Sequence, residues 1–141
     1  MRLGKWHRLL LLSTLFLVAA SGLCWFVLHD LMEHEPDEWL HALLVVHGAS
    51  SFGSAIAFGS LLPLHVPAGW RQRRNLVTGL TLGSAMAILI VSALVLYYGG
   101  EEARAWARLV HLWVGIPAIL LAPLHMVLGR SRKSRKAGRA A

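Results

Sequence analysis

The stretch LVTGLTLGSAMAILIVSALVLYY, residues 76–98, decides the fold, because it runs unbroken from Leu76 to Tyr98 without one charged residue. A helix needs about 20 apolar residues to cross about 30 Å of hydrocarbon. Three more stretches meet that length: Leu9 to Leu28, Leu40 to Leu64 and Ala105 to Leu128. Only short loops remain between them. The whole chain agrees, since 56% of its 141 residues are hydrophobic and only 15% are charged, a balance suited to one membrane domain rather than a soluble one. The expected fold is an all-α membrane protein, an up-down bundle of four transmembrane helices over residues 1–129, followed by a basic tail over 130–141.

The first stretch invites a second interpretation, because basic residues, an apolar run and the small residues Ala19, Ala20, Ser21 and Gly22 follow one another as in a cleavable signal peptide. The apolar run continues through Cys24, Trp25, Phe26 and Leu28, which is longer than a signal core. A retained signal anchor is therefore expected.

Charge predicts the orientation. Twelve of the 14 basic residues fall in three places: Arg2, Lys5 and Arg8; Arg71, Arg73 and Arg74; and Arg130, Arg132, Lys133, Arg135, Lys136 and Arg139. All seven acids lie in the other two loops, as Asp30, Glu33, Glu35, Asp37 and Glu38, then Glu101 and Glu102. An excess of Lys and Arg marks cytoplasmic segments, so both termini are expected in the cytoplasm. Trp6 and Trp70 flank that interface, and Trp39, Tyr97, Tyr98 and Trp106 the opposite one, as an aromatic belt does. The net charge of +7 sits at helix ends and in the tail, where anionic membrane lipid attracts it, so lipid and not nucleic acid is the expected partner. The tail after Gly129 shows no apolar periodicity and is expected to be unordered on its own. Cys24 is the only cysteine, which excludes an intrachain disulfide and the paired thioethers of a C-x-x-C-H haem site.

Eight histidines are many for so short a membrane chain, and ionisable groups at membrane depth mark function. His47, His111 and His125 lie well inside predicted spans, His41 and His65 near span ends, and His7, His29 and His34 at or beyond them. His111 and His125 are 14 residues apart, about 40° around a helix and about 21 Å along it, so they share a face. His47 and His65 are 18 residues apart, five turns and about 27 Å, and also share a face. His47 and His111 follow Trp39 and Trp106 at comparable distances, which predicts similar depth near the outer side, with His65 and His125 near the inner side. Two stacked pairs of imidazoles suit two non-covalent b-type haems, each iron taking one nitrogen from each of two helices. A structural zinc ion wants four clustered ligands and is a poorer match. Gly48, Gly53, Gly59 and Gly115 would admit a flat macrocycle, although taken alone they are better explained by ordinary small-residue helix packing.

The segment Lys5-Trp6-His7-Arg8, followed by Phe16-Leu17-Val18-Ala19-Ala20-Ser21-Gly22, resembles the first helix of the cytochrome b subunits of membrane formate dehydrogenases and nickel-iron hydrogenases. Leu109-Val110-His111 through Pro123-Leu124-His125 is similar to their last, di-histidine helix. The chain also resembles the four-helix cores of other di-haem quinone-linked cytochromes, in which the second and fourth helices supply all four ligands. The first resemblance implies His7 as the inner ligand, the second His65. An internal echo, Leu62-Pro63-Leu64-His65 against Ala122-Pro123-Leu124-His125, favours His65, whereas its 18-residue interval exceeds 14 by about one turn and would have to be absorbed at Pro63.

Arg104 and Arg108 outside, with Arg8, Arg71 and Arg130 inside, are candidate partners for haem propionates, since guanidinium pairs bidentately with carboxylate. His29, Glu33, His34 and His41 match no standard metal site and are expected to be solvated loop residues. The resemblance implies transmembrane electron transfer in a bacterial inner membrane between quinone and a redox partner protein. No nucleotide motif or iron-sulfur cysteine cluster is present, so a subunit or relay is expected rather than a stand-alone enzyme. The rivals are a haem-free anchor or assembly subunit, and a small permease using the histidines as transient ligands.

Overall fold

A computed structural model describes residues 4–73 and 75–137, with side chains as far as Gly129. The described residues form four helices: α1, Lys5–Phe26, extended by a π-helical turn at Val27–Leu31; α2, Glu38–Arg71; α3, Leu76–Tyr98; and α4, Glu101–Ala137. All four are long and apolar enough to cross a membrane. They divide into two compact units between Ala68 and Gly69, each an antiparallel helical hairpin.

Helix ends follow local chemistry. The π turn closes where Glu33 takes a left-handed φ of 52° and the His34 N–H reaches back to the Leu28 carbonyl. Asp37 Oδ1 then accepts from the Leu40 N–H at 2.9 Å, the N-cap bond that satisfies a donor the first turn leaves unpaired. The same bond, helped by His34 Nε2 donating to Oδ2, holds the exposed Asp37 carboxyl below the ordinary carboxylate value. Asn75, also left-handed, opens α3, and Gly99 ends it with its N–H on the Val95 carbonyl. The observed α3 has the bounds read from sequence. The other helices run further than their apolar cores, because Glu, Arg and Lys propagate a helix well. Likewise α4 continues past Gly129 to Ala137, where an unordered tail was expected; no Pro or Gly interrupts residues 130–137. Met1, Arg2, Arg74 and Arg139 lie outside the described residues.

Pro63 and Pro67 lie within α2, and Pro117 and Pro123 within α4, without ending either helix. Each removes one backbone donor, a loss that membrane helices tolerate through local adjustment and neighbouring groups.

Packing is that of a membrane protein. The buried residues are mostly small: Ser21, Gly48, Ser50, Ser54, Ala57, Ser92 and Ala107. Large apolar side chains such as Phe16, Ile56, Leu80, Trp113 and Leu120 are exposed. Lipid is as apolar as leucine, so helices gain by close approach of small residues, not by hiding large ones. Thr14 Cγ2 lies where a Cβ on Gly53 would stand 3.0 Å away, and Leu89 fills the space over Gly115. These two glycines serve helix contact, whereas Gly59 faces open space. Trp6, Trp39, Trp70, Tyr97, Tyr98 and Trp106 are all exposed at helix ends.

Candidate functional site

In the α1/α2 hairpin, His47 projects from α2 onto α1. Its Nδ1 stands 3.0 Å from the Val18 carbonyl oxygen. A carbonyl only accepts, so Nδ1–H donates, and the neutral ring keeps its lone pair on Nε2. Ser21 Oγ lies 3.4 Å from the same nitrogen. Beside it, Gly22 supplies bare backbone: a Cβ there would stand 2.7 Å from His47 Cε1 and 2.9 Å from Nδ1. The ring is thus seated on a glycine and tied by one nitrogen.

In the α3/α4 hairpin the arrangement repeats twice. His111 Nδ1 is 2.8 Å from Ser92 Oγ, and Ser92 donates its single proton to the Leu89 carbonyl. His125 Nδ1 is 3.1 Å from Thr78 Oγ1, and Thr78 donates to the Asn75 carbonyl. A hydroxyl that has spent its proton accepts from Nδ1–H, which again leaves the lone pair on Nε2. Gly79 lies against His125, where a Cβ would meet Cε1 at 3.3 Å. Ser21-Gly22 on α1 and Thr78-Gly79 on α3 are therefore matching seats for an imidazole from the next helix.

These contacts define levels. On α3 and α4, Ser92 with His111 and Thr78 with His125 lie 14 residues apart along both helices, about 21 Å. On α1 and α2, Ser21 with His47 forms one level. The other holds His7, whose Nε2 is 3.0 Å from Ser60 Oγ and 3.4 Å from the Ala57 carbonyl. Its separation from Ser21 is again 14 residues. Ser60 donates to the Ala57 carbonyl, so His7 donates through Nε2 and its lone pair lies on Nδ1, the reverse of the other three. His7 also borders an open groove of about 580 Å³ lined by Trp6, Leu9, Leu10, Ser13, Ile56 and Ser60.

His65 is exposed and lies five residues beyond Ser60 on α2, about 7 Å past the level of His7. The helix runs through Pro63 without a break, so Pro63 does not draw His65 back by the missing turn. His41 is exposed. His29 stacks on Trp25 at a centroid distance of 4.4 Å and pairs with Asp30, while His34 pairs with Asp37. Among the described residues, no three His, Cys, Asp or Glu side chains gather as a metal-binding group. Arg108, half-buried, sits one turn before His111; Arg104, exposed, sits a further turn away.

Sequence reasoning named the histidines but missed Ser21, Gly22, Thr78, Gly79 and Ser92 as their partners. A signal existed: Thr78 and Ser92 repeat the 14-residue interval of His111 and His125. No known protein family, curated protein or solved structure matches the chain.

Proposed function

We propose that the chain is a di-haem b-type cytochrome of a bacterial inner membrane, with both termini cytoplasmic, passing electrons between membrane quinone and a redox partner protein. The observation that carries this is the repeated seat: three imidazoles within spans, each tied at Nδ1 by the other helix of its hairpin. That bond fixes tautomer and ring orientation and raises the basicity of the other nitrogen, as the outer partners of metal-ligating histidines do. The donor set fits haem iron, which takes imidazole nitrogen as axial ligand, better than a four-ligand zinc ion.

On the depths read from the sequence, His47 and His111 would be the ligands of the outer haem. His125 would hold the inner haem, with His7 as its partner. His7 is preferred to His65 because its 14-residue distance from Ser21 repeats the interval of the second hairpin, whereas His65 is displaced and exposed. With Nε2 of His7 on Ser60 and the Ala57 carbonyl, Nδ1 is the nitrogen His7 would offer. Arg108 and Arg104 would meet propionates beside His111. Haem supplies reversible one-electron exchange at the levels these residues define. The apolar spans would limit water around it, and exclusion of water tunes a haem's potential.

The test is reduction of the purified protein in lipid vesicles by a quinol, followed in the α band. Reduction of two bands supports the proposal. A colourless protein overturns it in favour of the haem-free anchor.

A further inference from the structure

Helix α3 carries no histidine, yet both half-buried imidazoles of α4 lean on it. We infer that Thr78 and Ser92 are positioning residues that set the Nδ1–H tautomer of His125 and His111 and so present Nε2 at both levels. The consequence for haem rests on the function proposed above, but the tautomer does not.

Serine and threonine in a helix commonly return their proton to the carbonyl three or four residues back. Ser13, Thr14 and Thr81 do this and touch no histidine in doing so. Ser92 and Thr78 do it too, and each then meets an imidazole nitrogen at 2.8 Å and 3.1 Å. The back-bond is what gives them their role. A hydroxyl free to rotate would donate to or accept from a ring nitrogen equally, and the imidazole would populate both tautomers. A hydroxyl already committed to the Leu89 or Asn75 carbonyl has only lone pairs to offer, so only Nδ1–H satisfies both groups. In a span without water an unmatched polar pair costs more than in solvent. The interval is part of the device: 14 residues on α3 equals 14 on α4, so one straight helix locks both rings.

The hairpins solve the same problem with different acceptors. His47 gives its Nδ1 proton to the Val18 backbone carbonyl, which no side-chain substitution removes. His111 and His125 use hydroxyls, which substitution can remove. The two α4 histidines are therefore separately tunable.

The experiment uses full-length protein, labelled with 15N in its histidines, purified in detergent and read in its haem-free form. In the wild type, His111 and His125 are expected as Nδ1–H tautomers. Ser92→Ala should mix the tautomers of His111 alone, and Thr78→Val those of His125 alone; Ser92→Thr and Thr78→Ser should restore each. Haem titration of the same variants should show affinity about 10- to 100-fold weaker at one level only. The midpoint potential of that component should rise, because a less basic imidazole stabilises oxidised iron less. Nε2–H tautomers in the wild type overturn the inference, as does a wild-type tautomer pattern in Ser92→Ala and Thr78→Val. A protein with the expected tautomers that takes up no haem refutes the proposed function and supports the assignment to Thr78 and Ser92.

Discussion

Replacing Gly22 by alanine should unseat His47. An added Cβ would lie 2.7 Å from Cε1 and 2.9 Å from Nδ1, whereas carbon atoms rest comfortably at about 3.5 Å. The ring must therefore retreat by about 0.8 Å from α1. Its bond to the Val18 carbonyl is 3.0 Å long, and that retreat carries it past about 3.5 Å, where the bond is lost. Overpacking of this kind costs about 1–3 kcal/mol, and the lost hydrogen bond about 1 kcal/mol more. Each 1.4 kcal/mol is about tenfold in affinity, so haem at the His47 level should bind at least about tenfold more weakly. Haem titration of the variant, read in the reduced-minus-oxidised spectrum, measures this. Gly59→Ala is the control, because a Cβ there meets nothing within 4 Å and alanine is the better helix former by about 1 kcal/mol. Equal haem affinity in Gly22→Ala and Gly59→Ala would refute the proposed seat.

His47→Ala and His111→Ala should abolish the same spectral component and spare the other; loss of different components would show that they do not share a haem. His125→Ala should remove the second component, and His7→Ala the same one, with His65→Ala unchanged; if instead His65→Ala removes it and His7→Ala does not, the equal-interval argument fails. Asp37 has a depressed carboxyl pKa, so its cap on α2 is fully present above the ordinary value of 3.8 and is lost as pH falls through the lower folded value. Asp37→Asn should keep the cap and flatten that acid limb in a pH series of thermal unfolding, and an unchanged acid limb would argue against the cap.

Much of the fold was legible because the bilayer imposes length. The bounds of α3 could be read outright, since Asn75 and Gly99 punctuate an uncharged run. The ends of α2 and α4 were not, because charged residues that mark the edge of hydrocarbon do not end a helix. The histidines of the site stood out by their cost in lipid. Their hydroxyl partners did not, because serine and threonine bond to their own helix throughout such proteins, and sequence does not separate Ser92 from Ser13. The 14-residue match between α3 and α4 is the pattern that does. Choosing between His7 and His65 needed the pairing of α1 with α2: Pro63 left the length of α2 ambiguous, whereas the contacts of Ser21 with His47 and of His7 with Ser60 set the interval.

The decisive measurement is a pyridine haemochrome count on the purified full-length protein, with acid-acetone extraction alongside. Two b-type haems per chain, both extractable, are expected from two levels of imidazole and a single cysteine. One haem, none, or haem retained after extraction would contradict the assignment.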